Sequence, residues 1–287
     1  MQVIYFDNNS TTKIAGDVLS KMNEAYALPL NASAIHQYGR KASNLIESVR
    51  QKTQNLLNAQ NYEVIFTSSA SEANNTVIFG AKVSKILICA TEHASIYKCQ
   101  PENKEIIEIK VLPNGLIDIS NLNEELEKIT NQDFLLSVSL ANNETGVIQD
   151  IKEIAKLVHQ KGGLIHSDIV QALGKIDVDL EDLNIDFASI SAHKIRGPQG
   201  VGSLLVRKGV ELDPLIYGAG QEKSKRAGTH NVAGIVGFGA ALDLVDVKEF
   251  SKIEILRNFL EKSLKEIALD NVKFFGNQVK RLPNTSY

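Results

Sequence analysis

Short apolar runs alternate with amphipathic stretches along this chain, which is the pattern of repeated βα units. Six apolar runs are predicted to form strands, at residues 64–67, 85–90, 134–140, 164–168, 187–191 and 202–206. Three stretches between or after them are predicted to form helices, at residues 71–82, 151–160 and 233–245. Strands that alternate with helices predict an α/β fold, in which a mostly parallel sheet is covered by helices on both faces.

Two of the predicted helices carry signals for their first residue. Ser69 and Glu72 have the spacing of a capping box before the first helix, and Asp150 can cap the second. Further along, residues 250–269 predict a charged amphipathic helix, and residues 272–275 resemble a strand. Residues 285–287 resemble the start of a further strand, so we expect the first part of a βα unit there without the rest of it.

The composition of the chain excludes several classes of function. The chain has 287 residues, of which 43% are apolar and 23% charged, and this predicts one large domain or two unequal ones. A net charge of −3 gives no electrostatic footprint for direct nucleic-acid binding. Two cysteines are too few for a disulfide framework or a Cys-rich metal site, so no metal is expected. With no signal-peptide pattern and no long apolar run, we expect no membrane contact and a cytoplasmic location.

Polar residues of the kinds that bind ligands or take part in catalysis follow the predicted strands. Lys194 lies just beyond the strand at 187–191, where open α/β sheets bind ligands. It is either a solvated charge or an amine that forms a Schiff base with a carbonyl cofactor. The hydroxyl-rich residues 67–72 lie between a strand and a helix, and they form either a plain capping box or an anion cradle.

Three further residues fit the same picture. Asp168 ends a buried strand and is either a helix cap or the partner of a pyridinium N–H, which would keep the ring an electron sink. The pair Asn142 and Asn143 forms either a turn or an amide contact with a ring oxygen. His93 either stacks on an aromatic cofactor or is merely exposed. Together these strand ends offer a phosphate cradle, an acid, an amide, a histidine and a lysine.

These segments, in this order, resemble a known family. Residues 5–12 (Tyr5-Phe6-Asp7-Asn8-Asn9-Ser10-Thr11-Thr12), 67–75, 91–93, 142–151, 166–171, 189–202 and 226–229 resemble motifs of cysteine desulfurases of the NifS/IscS type. That type belongs to the class V aminotransferase group of pyridoxal-phosphate enzymes. The resemblance implies the type I aminotransferase fold, with a seven-stranded sheet in which 202–206 is antiparallel. It implies a large domain at 14–248 and a small domain formed by 1–13 and 249–287.

The resemblance also implies roles for ten residues. Lys194 would form the Schiff base and move protons, and His93, assigned with it to catalysis, would stack on the ring. Asp168 would pair with the pyridine nitrogen, Gln171 would donate to the phenolic oxygen, and Asn143 would contact cofactor or substrate. The phosphate would be held by Ala70, Ser71, Ser191 and His193 of one subunit. Thr229 would reach the phosphate of the neighbouring subunit, which implies a homodimer.

The family reaction converts L-cysteine to L-alanine and passes sulfur to an enzyme cysteine, for iron–sulfur cluster assembly or tRNA thiolation. The expected partners are therefore L-cysteine, a second copy of the chain, and an iron–sulfur scaffold or sulfur-acceptor protein. The family's cysteine loop follows the position of Thr285, so the resemblance predicts a C-terminally truncated chain. Neither Cys89 nor Cys99 matches that loop, so activity of this chain alone is doubtful. Four alternatives stay open: a non-catalytic fragment, a subunit completed by another chain, a selenocysteine lyase and an aminotransferase.

Overall fold

One mixed sheet of seven strands organises the chain in the computed structural model, which describes residues 4–130, 133–268 and 271–287. The strands are β1 (Tyr62–Thr67), β2 (Lys85–Cys89), β3 (Glu105–Ile109), β4 (Phe134–Ser137), β5 (Leu164–Asp168), β6 (Phe187–Ser191) and β7 (Gly202–Arg207). The α-helices are α1 (Gly16–Tyr26), α2 (Gln37–Leu56), α3 (Ala70–Gly80), α4 (Ala94–Tyr97), α5 (Ile119–Glu127), α6 (Ile151–Gln160), α7 (Leu180–Leu183), α8 (Val232–Leu242), α9 (Val247–Ser251) and α10 (Ile253–Ala268).

The strand order across the sheet is β1-β7-β6-β5-β4-β2-β3. The pairs β6–β5, β5–β4, β4–β2 and β2–β3 are parallel, whereas β7 runs antiparallel to both of its neighbours. Residues 202–206 therefore form the reversed strand, as expected. Because the other strands share one direction, their carboxyl ends meet at a single edge, where ligands of such sheets bind.

Helices cover both faces of the sheet, so the fold has three layers. Alternate residues of a strand point to opposite faces, and in β1 Val64 and Phe66 join one apolar cluster while Ile65 joins the other. The first cluster also contains core residues of α1, α2, α5, α6 and α8, and the second contains those of α3. Both clusters exclude water, which explains why the strands are apolar on both sides.

The element predictions are mostly confirmed, with shifted ends. The helices expected at 71–82 and 233–245 are α3 and α8, and the strand expected at 134–140 ends at Ser137. Ser69 caps α3 through a bond from the Glu72 N–H, and Asp150 caps α6 through a bond from the Glu153 N–H. Strand β3 has no counterpart among the predictions, because it is a half-exposed edge strand in which Glu105 and Glu108 interrupt the apolar residues.

Three predictions near the C-terminus are wrong in detail. The single helix expected at 250–269 is divided into α9 and α10, and its last residue, Leu269, lies outside the described residues. Residues 272–275 and 285–287 form no strand. They are joined instead by one bond from the Phe275 N–H to the Tyr287 carbonyl, while Arg281 bridges to Val147. None of the described helices combines the length and the apolar character that crossing a bilayer requires.

Candidate active site

A cleft of about 650 Å³ opens at the shared carboxyl edge of the parallel strands. It receives the residues that follow β1, β2, β4, β5 and β6. Nine of the ten predicted site residues line it: Ala70, Ser71, His93, Asn143, Asp168, Gln171, Ser191, His193 and Lys194. The fold therefore brings together predicted site residues that are up to 124 positions apart in the sequence.

The first turn of α3 forms one wall of the cleft. Ala70 and Ser71 line the cleft, and the N–H groups at the start of a helix have no partner within it. Gly202 of β7 lies directly behind this turn, and a Cβ atom there would stand 2.6 Å from the Ser69 carbonyl carbon and 2.8 Å from the Ala70 nitrogen. Glycine is therefore required for the reversed strand to pack against the turn, whose backbone N–H groups and Ser71 hydroxyl are of the kind that can bind an anion.

Asp168 lies buried at the end of β5 and faces the cleft. Its carboxylate accepts hydrogen bonds from the Asn74 amide at 2.8 Å and from the Val170 N–H at 2.9 Å. Burial raises the pKa of Asp168, and these two bonds only partly oppose the rise. The Asp168 side chain thus lacks a cationic hydrogen-bond partner among the described residues, and a cationic donor in the cleft would supply one.

Lys194 projects from the 3-10 turn Ala192–Lys194, immediately after β6. Its ammonium group donates to the carbonyl of Ser10 at 2.7 Å and also to the carbonyl of Asn9. Burial lowers the pKa of Lys194, although the charges of Asp168 and Asp7 oppose this. A lysine with a lowered pKa is more often a neutral nucleophile, which is what imine formation needs.

Asn142 and His93 lie in loops at the cleft, and the structure shows which contacts each makes. Asn142 forms the turn, because its side-chain oxygen accepts from the N–H groups of Glu144 and Thr145, and Asn143 is left to line the cleft. His93 is exposed at the cleft wall and caps the short helix α4, where its Nδ1 accepts from the Ser95 N–H at 3.1 Å. The exposed ring remains able to meet a planar ligand.

The tenth predicted residue, Thr229, lies outside the cleft and is exposed. Several ion pairs fix its loop to the rest of the protomer. Arg226 forms a salt bridge with Glu72 in the first turn of α3, at 2.9 Å. The buried Glu222 accepts from Arg50 and His230, at 3.1 and 2.8 Å. Thr229 therefore lies exposed in a loop that is tied to α2 and α3. It does not line the cleft of its own chain.

Four polar residues near the site were not assigned by the sequence interpretation. Asn9 lines the cleft, Asn74 holds Asp168, Glu92 is buried against Ser139, and Lys175 is buried behind Gln171. The sequence offers a signal for two of them, because a charged residue stands beside apolar residues: Lys175 lies in a buried turn before Ile176, and Glu92 follows a buried strand. Asn74 lies in a run of three polar residues, 74–76, and carries no signal. Asn9 carries no such signal, because its partners come from distant parts of the chain.

Neither cysteine lies in the cleft wall. Cys89 ends β2 within the core, where burial, followed by the nearby Glu92 charge, raises the pKa of its thiol to about 11. Cys99 is also buried, and burial raises its thiol pKa as well. Its thiol donates to the carbonyl of Ser95 at 3.1 Å. Both groups are therefore protonated at neutral pH and unreactive as nucleophiles.

Comparison with known proteins assigns the family. Residues 4–286 match the family described as Aminotransferase class-V. The chain belongs to the class-V aminotransferase family. Within this family it is 37% identical to the cysteine desulfurase IscS of Dictyoglomus turgidum, over 98% of this chain and 74% of the relative. A cysteine desulfurase of a Nostoc strain is 35% identical, over 100% of this chain and 74% of the relative.

Solved structures agree with this class-V assignment. The X-ray structure of a NifS-like protein from Rickettsia africae is 40% identical, with a TM-score of 0.95 over 99% of this chain and 81% of that chain. SspA in complex with cysteine is 30% identical, with a TM-score of 0.80 over 90% of this chain and 78% of that chain. The expected fold class, an α/β fold shared with NifS-like enzymes, is confirmed.

Proposed function

We propose that this chain binds pyridoxal 5'-phosphate in the cleft and acts on L-cysteine as a cysteine desulfurase. The single observation that carries the proposal is the cleft itself, in which an anion site at α3, the buried Asp168 and the half-buried Lys194 face one space. The relatives named cysteine desulfurase, and SspA with its bound cysteine, supply the substrate class. When bound, the cofactor withdraws electrons from the α-carbon of an amino acid.

The residues fit this cofactor at both ends. The N–H groups of Ala70 and Ser71, packed against Gly202, suit a phosphate, and Ser191 and His193 complete that end of the cleft. At the other end Asp168 needs a cationic donor, which a protonated pyridine nitrogen is. We assign ring stacking to His93, donation to the phenolic oxygen to Gln171, and contact with cofactor or substrate to Asn143.

Lys194 is the residue that we propose to hold the cofactor covalently and to move the proton at the substrate α-carbon. Its lowered pKa suits both tasks, because a general base works best with a pKa near the working pH. The carbonyls of Asn9 and Ser10 hold its amine in the cleft before reaction, so the amine has little orientational entropy left to lose when it reacts. His193 stays neutral beside it, since burial, with the Lys194 charge, lowers the pKa of that imidazole.

Sulfur transfer needs a thiolate that reaches the substrate sulfur. Cys89 and Cys99 offer none, because both thiols are buried, outside the cleft and high in pKa. We therefore propose that residues 1–287 perform the chemistry at the α-carbon, and that the sulfur acceptor is a cysteine other than these two. An iron–sulfur scaffold or another sulfur-acceptor protein is the proposed destination of the sulfur.

We propose further that the chain works as a homodimer, with Thr229 placed against the cofactor phosphate of the neighbouring subunit. The support is that Thr229 is exposed and its loop is fixed by Arg226 and Glu222, so that a surface hydroxyl is held in one place. The division into a large domain at 14–248 and a small domain from 1–13 and 249–287 is proposed with it; residues 1–3, 131, 132, 269 and 270 lie outside the described residues.

The test is a titration of the purified chain with pyridoxal phosphate, followed by borohydride reduction and peptide mapping. We expect a visible absorbance band at one cofactor per chain, and a reduced adduct on Lys194. Lys194→Ala should lose the band, and Lys104→Ala, which changes a lysine outside the cleft, should keep it. A colourless wild-type protein, or an adduct on Lys175, would contradict the proposal. When a sulfur-acceptor protein is supplied, release of alanine from L-cysteine without transamination would separate a desulfurase from an aminotransferase.

A further inference from the structure

Lys175 is a buried ammonium group for which the described residues provide no salt bridge. It is 4% exposed and donates to two side-chain oxygens, Oε1 of Gln171 and Oδ1 of Asn9 at 3.0 Å. Burial, with the charge of Lys194 added to it, lowers the pKa of Lys175 to about 7. Burying a cation beside neutral groups costs free energy, and such a cost at a cleft usually accompanies a functional demand.

The contact with Lys175 settles which way the amide of Gln171 points. In its ammonium form Lys175 has three donors and no acceptor, so only the oxygen of the amide can face it. The Gln171 nitrogen must then point the other way, and it donates to the carbonyl of Asn9 at 2.9 Å. Gln171 lines the cleft, so what it can offer to a ligand there is an N–H group.

Asn9 connects this pair to the proposed covalent lysine. Its side-chain oxygen accepts from Lys175, and its carbonyl accepts from both Gln171 and Lys194. The segment that holds the amine of Lys194 is therefore the same one that Lys175 fixes from behind. A change at Lys175 is transmitted to the cleft through these two neighbours, because Lys175 itself does not line the cleft.

We propose that Lys175 is a positioning residue that makes Gln171 a hydrogen-bond donor toward the phenolic oxygen of the cofactor. This inference rests on the proposed function. An amide that is free to rotate presents its oxygen as readily as its nitrogen, and the oxygen would repel an anionic phenolate. With Lys175 in place the amide has one orientation before the cofactor arrives, so no ordering is left to be done on binding.

The experiment compares two probes, pyridoxal phosphate and its 3-deoxy analogue, which lacks the phenolic oxygen. Dissociation constants are measured by absorbance or fluorescence titration for wild type, Lys175→Met, Gln171→Leu and the double variant. We expect each single variant to bind pyridoxal phosphate about tenfold more weakly, the loss of about one hydrogen bond. The double variant should be no weaker than Gln171→Leu, because both changes remove the same contact.

The 3-deoxy analogue distinguishes positioning from a general structural role. Its affinity should change less than about twofold in Lys175→Met, whereas damage to the whole site would weaken both probes equally. Lys104→Met is the matched control, since Lys104 also donates only to uncharged oxygens, the carbonyls of residues 78, 79 and 81, but lies outside the cleft. It should leave both affinities unchanged.

Each outcome is decisive. Equal weakening of both probes, no weakening of either, or additive losses in the double variant would overturn the role of Lys175. Failure of the wild-type protein to bind either probe would overturn the proposed function instead. Lys175→Gln guards against a folding defect of the methionine variant, because its amide keeps one N–H for Gln171. It should retain more affinity for pyridoxal phosphate than Lys175→Met, and equal loss would contradict the proposal.

Discussion

Glu222 is the carboxylate whose replacement should show how firmly the Thr229 loop is held. It is 6% exposed and has a left-handed backbone with φ of 46°. It accepts from Arg50 at 3.1 Å, from His230 at 2.8 Å and from the N–H of Phe66 at 3.1 Å. Glu222→Ala removes the acceptor of all three donors, and Glu222→Gln keeps the shape but removes the charge.

The expected magnitudes follow from what each variant leaves behind. Glu222→Ala leaves the buried N–H of Phe66 and a partly buried Arg50 without their acceptor, and breaking a buried pair costs about 3–5 kcal/mol. Arg50 retains Glu47 and the carbonyl of Val64, so we expect the lower end, about 3 kcal/mol. Glu222→Gln can still accept from one donor, and losing a charged hydrogen bond costs about 1.5–3 kcal/mol. We expect about 2 kcal/mol.

The loss of stability in the Glu222 variants should depend on pH. Burial opposes the charge of Glu222, but the bond from His230, the charge of Arg50 and the bond from Phe66 together lower the pKa of that carboxyl below its ordinary 4.5. The stabilisation is therefore complete above about pH 4.5 and is lost as the pH falls through the lower folded value. The difference between wild type and Glu222→Gln should shrink in acid.

Urea unfolding, followed by circular dichroism, measures these free energies. The matched control is Glu47→Gln, which removes a carboxylate that pairs with the same Arg50 but is 61% exposed. It should cost less than about 0.5 kcal/mol, as exposed ion pairs do. If Glu222→Gln cost no more than Glu47→Gln, or if its cost did not fall in acid, the view of Glu222 as the clamp of this loop would be refuted.

The remaining predictions concern the cleft and the thiols. Asp168→Asn should keep the cofactor within about tenfold of wild-type affinity, because the phosphate contacts remain. It should slow exchange of the L-alanine α-proton in D2O by about a hundredfold or more, since one strong charged hydrogen bond is lost; unchanged exchange would remove Asp168 from its assigned role. A thiol reagent at neutral pH should modify neither Cys89 nor Cys99 until the protein is unfolded. A polypeptide of residues 1–287 should release no sulfide from L-cysteine above the background of free pyridoxal phosphate, and robust release that Cys99→Ser abolishes would make Cys99 the acceptor.

The sheet could be predicted from the sequence because its strands are buried on both faces. β2, β4, β6 and β7 are mostly apolar, and β5 begins with Leu164 and Ile165, so these strands can be predicted without knowledge of distant residues. β3 could not be found in this way, since it pairs with β2 alone and two of its five residues are glutamates. Residues 272–275 show the opposite failure, because an apolar pattern without a strand partner does not form a strand.

The same distinction applies to the site. Residues that end a strand, such as Asp168 and Lys194, were found because the carboxyl edge of a parallel sheet is a known binding position. Lys175 was missed because only the folded chain shows that its neighbours are amide oxygens and not carboxylates. Asn9 was missed as a site residue because its importance comes from its partners, which belong to four separate segments, at residues 143, 171–175, 194 and 284–285.

The contacts of Asn9 have a consequence for the order in which this protein folds. Its side chain donates to Asn143 and to Thr285 and accepts from Asn284, so one residue closes chain loops of 134, 276 and 275 positions. Loops of this length form late, because closing them costs more chain entropy than forming contacts between residues that are close in sequence. During synthesis the sheet is able to assemble while this corner of the cleft is still open. The site acquires its final geometry only after residues 284 and 285 have emerged, so cofactor capture is expected to be among the last events of folding.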